Sequence, residues 1–153
     1  MEDIKRILVV CRVAEDWRTA VHHGILLSRM YGAELYIIHR IYDPFIRGDL
    51  NLPMTLGVVE DEYIKMQKDA RRKLDAIITE EKTKGITIKE LIKEGKPVEE
   101  IMKVIHEEKI DLLIMLAHEE SRLEHFLLGR SENEIIRKLP CSILIIKKEP
   151  EPA

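Results

Sequence analysis

Six histidines, two cysteines and several adjacent carboxylates are the side chains with which this chain could do chemistry. His118-Glu119-Glu120 with His125 offers imidazole and carboxylate donors within one short stretch, but a zinc site needs three or four ligands converging on one point, and nothing in this spacing fixes that geometry. His22-His23 are neighbours on an expected helix and project about 100° apart, so they read as surface histidines. Glu80-Glu81, Glu99-Glu100 and Glu107-Glu108 are also helix neighbours that cannot face each other, and they read as solvated surface. Cys11 and Cys141 fall at the end of one expected strand and the start of another with no CxxC partner, so buried free thiols are expected instead of redox or zinc chemistry. His118 and Ser131 are the available base and nucleophile for hydrolysis, yet their spacing matches no catalytic arrangement. A backbone-bonded loop histidine and a helix N-cap are their expected roles. No GxxxxGK[ST], GxGxxG or GxSxG sequence occurs, which removes support from three large α/β enzyme classes. A phosphorelay receiver is excluded because Cys11-Arg12, not an acidic cluster, follows the first strand.

The elements that must position any site follow from hydrophobic spacing. Residues 4–11 form an uninterrupted β-branched run, the pattern of a strand buried on both faces. Asp16 then caps a helix whose stripe Trp17, Ala20, Val21, Gly24, Ile25, Leu27 and Ser28 runs to Tyr31, and Gly32 supplies a left-handed C-terminal cap. Residues 35–39 form a second strand. Residues 42–57, broken by Pro44, Gly48, Pro53 and Gly57, read as a long mobile loop able to close over a cleft. Val59, Tyr63, Met66, Ala70, Leu74 and Ile77 describe a helix of about 40 Å running toward Gly85. Residues 86–92 alternate as an edge strand does, and Pro97 opens a helix with the stripe Val98, Ile101, Met102 and Ile105. Residues 111–117 form a third apolar strand, 131–139 a short helix stopped by Pro140, and Ser142–Ile146 the last strand.

At 153 residues the chain fits one core; residues 1–148 read as a single domain with an acidic, proline-containing tail at 149–153. No run is long enough to span a bilayer and no charged-then-apolar leader opens the chain, so a cytoplasmic, non-membrane protein is expected. The charge of −3, from 25 basic and 28 acidic residues, argues against nucleic acid. The basic cluster at 68–73 has no interleaved aromatics and reads as a solvated helix face. Five strands alternating with four helices, three of the strands wholly apolar, require an open doubly wound α/β sandwich with a parallel sheet and helices on both faces. Ligands of such sheets sit at the carboxyl ends of the strands where the winding reverses, here residues 11–14 and 116–131.

From Gly95 onward the chain reads Gly-x-Pro, a helix, IDLLIMLAHEE, then SRLEHFLLGRSENEIIRKLPCSILIIKK, and this resembles the universal stress protein family. KRILVVCRV resembles that family's opening strand and Ile37-Ile38-His39 its second. The resemblance implies strand order 3-2-1-4-5, a Rossmann-like fold of the adenine-nucleotide-alpha-hydrolase type, and a homodimer paired through the last strand, Ser142–Ile146. ATP-binding members carry G-x2-G-x9-G-[ST] in the penultimate strand-loop-helix. Laid on this chain, the two leading glycines fall on Leu116 and Glu119, the third on Gly129, and the Ser/Thr on Arg130. The aspartate those members carry after the first strand falls on Arg12. The candidate cleft is therefore Arg12, Val13, Ile41, Leu116, His118, Glu119, Gly129, Arg130 and Ser131, with the expectation that it no longer takes ATP. No cofactor is expected, and Arg12 and Arg130 either pair with Glu119, Glu120 or Asp16, or rebuild a site for ATP with Mg. The implied function is a non-enzymatic stress-response module for protein partners not named by the sequence.

Overall fold

A computed structural model describes residues 3–12, 17–40, 57–93, 97–116 and 129–147 of the protein. Five strands, β1 (Arg6–Arg12), β2 (Glu34–Arg40), β3 (Ile88–Lys93), β4 (Leu112–Leu116) and β5 (Ser142–Ile146), form one parallel sheet in the order β3-β2-β1-β4-β5. Among the described residues the helices are α1 (Trp17–Tyr31), α2 (Gly57–Thr83), α3 (Pro97–Glu107) and α4 (Gly129–Lys138). This is the expected doubly wound α/β sandwich.

Alternation along the strands divides the core into two layers. Ile7, Val9, Leu35, Ile37 and Ile114 face α1 and α2, where Val21, Ile25, Leu74 and Ile78 meet them. Leu8, Tyr36, Ile38, Leu113 and Met115 face the opposite way, against Ile101, Val104 and Ile105 of α3 and Ile135 of α4. The central strands are thus buried on both sides, which is why they read as continuous apolar runs. Asp111 pins the start of the β1–β4 pair, because its Oδ2 accepts from the backbone N–H groups of Lys5 (2.8 Å) and Arg6 (2.9 Å). Among the described residues no helix is long and apolar enough to cross a membrane.

Three helices stop in the same way. Gly32, Gly85 and Lys109 have φ of 64°, 94° and 52°, and the next residue's N–H reaches back to Ser28, Glu81 and Ile105 respectively. Glycine takes this left-handed turn without penalty, whereas a side chain costs about 1–2 kcal/mol. Lys109→Gly should therefore stabilise the protein by about 0.5–1 kcal/mol, after glycine's extra unfolded-state entropy is subtracted. Thermal melts should show a rise in Tm of about 2 °C; a fall would mean that the lysine stem contributes more than the strain.

Several expectations are corrected by the fold. The last helix begins at Gly129, not Ser131, and ends at Lys138. Ser131 is thus its third residue and not its N-cap, and Leu139 (φ 41°) is the turn that follows it, its N–H bonded to the carbonyl of Ile135. Gly57 opens α2 instead of closing the preceding loop. Glu81 is buried, not solvated: α2 turns it toward α1, where it pairs with Arg29, and Lys84 Nζ lies 3.5 Å away. Cys141 is half-buried while Cys11 is fully enclosed. Residues 41–56, Asp16 and the tail 149–153 lie outside the described residues.

Candidate functional site

Two parallel strands end side by side at the switch point of the sheet. Val9 of β1 pairs with Ile114 of β4, so Cys11 and Leu116, each two residues further on, end at the same level. Arg12 is the last residue of β1 and Leu116 the last of β4. Helix α4, which follows β4 in the chain, begins with Gly129, Arg130 and Ser131. The free N–H groups and positive dipole end of a helix start favour an anion in that position. Of the expected site residues, the backbone of Arg12, Leu116, Gly129, Arg130 and Ser131 is thus placed on strand ends or on the helix start. Val13, Ile41, His118 and Glu119 lie outside the described residues, as do Glu120 and His125 of the candidate metal cluster.

Leu116 closes β4. It is an extended residue paired with Ile146, and only 6% exposed. A side chain there meets no left-handed strain. Cys11 is equally enclosed, and burial, reinforced by the charge of Glu90, pushes its thiol well above the usual range. It is an inert core thiol and not a nucleophile. Cys141 is pushed up in the same direction, chiefly by burial, with a backbone hydrogen bond at Leu113 opposing.

The histidines of α1 behave as surface residues. The His22 and His23 rings lie 6.0 Å apart at 85°, and His23 Nδ1 donates to the Thr19 carbonyl at 2.8 Å. Among the described residues no group of three or more His, Cys, Asp or Glu side chains could hold a metal ion. A groove of about 580 Å³ lies between α1 and α2, with Arg18, His22, Leu26 and Arg29 on one side and Ile77 and Glu80 on the other. None of the expected site residues lines it. Its sequence signature is the three-four spacing of Arg18, His22, Leu26 and Arg29 on the outer side of α1, which reads as ordinary solvated surface.

Comparisons with known proteins give one answer along the whole chain. Universal stress protein MJ0577 from Methanocaldococcus jannaschii is 27% identical over 95% of this chain and 96% of its own length. The solved structure of MJ0577 superposes with a TM-score of 0.67 at 26% identity, covering 97% of this chain and 99% of that one. A universal stress protein solved in complex with cAMP shares the fold at a TM-score of 0.56 and 20% identity, covering 93% and 95% of the two chains. Universal stress protein E from Salmonella typhi is 23% identical over 97% of this chain, which spans 47% of that protein. The sequence profile of the Universal stress protein family matches residues 3–147, and the chain belongs to that family.

Proposed function

We propose that this universal stress protein is a non-enzymatic stress-response module whose nucleotide cleft has lost tight ATP binding, and that it works as a cytoplasmic homodimer presenting surfaces to other proteins. The observation that carries the reading is Leu116, a buried leucine at the end of β4 where ATP-binding members of the family have a glycine. Arg12, at the end of β1 where those members have an aspartate, supports it. Native mass spectrometry of freshly purified protein tests it, with an apo dimer as the expected species. A stoichiometric retained nucleotide would overturn it.

A second reading, a nucleotide switch, draws on the relative crystallised with cAMP and on the helix start at Gly129. In it Arg12 and Arg130 clamp phosphate oxygens, with Mg bridging to Glu119 or Glu120. Retained nucleotide in the same experiment would favour this alternative.

The dimer rests on the two edges of the sheet being unlike. Edge strand β3 carries Lys89, Glu90 and Lys93, charges that discourage pairing with another chain. Edge strand β5 is Ser-Ile-Leu-Ile-Ile, with Ile145 45% exposed and Ile136 and Leu139 of the α4 region exposed as well. Covering β5 with a second copy satisfies its open backbone groups and these side chains together. Ile145→Lys should convert the dimer to monomer in sedimentation at micromolar concentration; a wild-type monomer under those conditions sinks the assignment.

A further inference from the structure

The core-facing side of edge strand β3 carries a carboxylate where the pattern calls for an apolar residue. Ile88 is buried in the layer beneath α2, and Glu90, two residues on, shares that face and pairs with Ile37 of β2. Its Oε1 is buried. Across from it stands α2, whose Leu74 and Ile78 fill the same layer. Asp75, next to Leu74, brings a second carboxyl within hydrogen-bonding reach of Glu90. Asp75 is half-exposed, with Arg71 Nε 3.9 Å from its Oδ2. Two carboxyls this close share a proton more readily than they both ionise.

We propose that Glu90 and Asp75 are a proton-operated clasp, which fastens α2 to the edge strand β3 as the pH falls and loosens it as the pH rises. Glu90 takes a proton from solvent, and its O–H then donates to the Asp75 carboxylate. Glu90 holds the proton because one of its oxygens is buried, while Asp75 is half-exposed beside Arg71. Release returns the proton to solvent and leaves two anions facing each other beneath α2.

The charges around the pair set the direction. Burial raises Glu90 above the ordinary carboxylate range, the Asp75 charge and hydrogen bond add to this, and Arg71 and Lys82 of α2 oppose it. From β1, Cys11 feels the charge of Glu90 but stays neutral. From β2, His39 pairs with Ile92, two residues along β3 from Glu90. The folded protein thus binds the Glu90 proton more tightly than the unfolded chain, whose glutamates titrate near ~4.3. The clasp's contribution is complete below that value and is lost as the pH rises through the higher folded value.

Amide hydrogen exchange of the intact protein between pH 5.0 and 7.5, corrected for intrinsic rates, tests the clasp. The readout is protection of residues 71–82 relative to 7–9. In the wild type this ratio should grow as the pH falls, by up to about tenfold per pH unit between the folded and unfolded Glu90 values. Glu90→Gln, which mimics the protonated side chain, should show the acid-level protection at pH 7.5 and no pH dependence. Asp75→Asn leaves Glu90 without its anionic partner and should lessen the dependence, the burial of Glu90 remaining. A wild-type slope that survives in Glu90→Gln overturns the proposal and assigns the titration to another group. A full slope in Asp75→Asn overturns the pairing.

Discussion

Titration calorimetry with Mg-ATP should give no saturable binding below the millimolar range. Three contributions act together in the proposed reading. Leu116 puts a buried leucine where ATP-binding members have a glycine that lets backbone approach phosphate. Glu119 takes the place of a motif glycine with Glu120 beside it in the sequence, and a carboxylate at about 5 Å from a phosphate charge costs about 3 kcal/mol at an effective dielectric near 20. Arg12 stands at the end of β1, where ATP-binding members have an aspartate on the nucleoside side. Arg12 and Arg130 offset part of this, so a net penalty of about 4 kcal/mol is expected, which weakens a micromolar site by nearly a thousandfold. A dissociation constant below about 50 μM would show that the two arginines have rebuilt the site. The companion variant, Arg12→Asp with Leu116→Gly, Glu119→Gly and Arg130→Ser, should recover affinity, although the four effects need not add. No recovery would trace the loss to the wider packing of the cleft.

The fold was far more legible than the cleft, for a physical reason. Residues such as Ile7, Leu8 and Val9 are buried on both faces of the sheet, so their apolar run announces a central strand without knowledge of its neighbours. Gly32 announces the end of α1 through its φ alone, and Gly85 does the same for α2. Lys109 ends α3 with the same geometry but carries a side chain, and no residue type marks it in the sequence. The start of α4 was equally hidden: Gly129 and Arg130 read as loop, because glycine is a poor helix former and Ser131 followed by Glu132 imitates a cap.

Pairwise contacts between distant elements were the least accessible. Glu80-Glu81 looked like one solvated pair, and only the approach of α1 and α2 separates them, burying Glu81 against Arg29 and leaving Glu80 exposed beside Lys84. Glu90 lies in an alternating stretch that reads as an edge strand, yet it shares the core face with Ile88. Leu116 was legible as a missing glycine. Its extended conformation required the pairing with Ile146.

Gly24 carries the largest expected effect on stability, because it sets how closely α1 lies on the sheet. A Cβ built at this position meets Val9 Cγ2 at 2.5 Å and Leu35 Cδ1 at 3.1 Å. Neither neighbour can step aside: Val9 and Leu35 are completely buried in central strands, and a β-branched valine has little rotamer freedom. Gly24→Ala gains about 1 kcal/mol in helix propensity and loses about 1–3 kcal/mol to overpacking, for a modest net loss. Gly24→Val adds two methyl groups into the same contact and should destabilise by about 4 kcal/mol, a large share of the roughly 5–15 kcal/mol typical of a domain. Urea unfolding measures both, with the midpoint falling and the slope unchanged. The cause is checked by a double-mutant cycle. Val9→Ala removes the Cγ2 that the new Cβ strikes, so Val9→Ala with Gly24→Ala should be more stable than the sum of the single changes predicts, by about 1–2 kcal/mol. Strict additivity would mean that α1 relieves the clash by lifting off the sheet as a whole, and that Gly24 does not govern the approach through Val9.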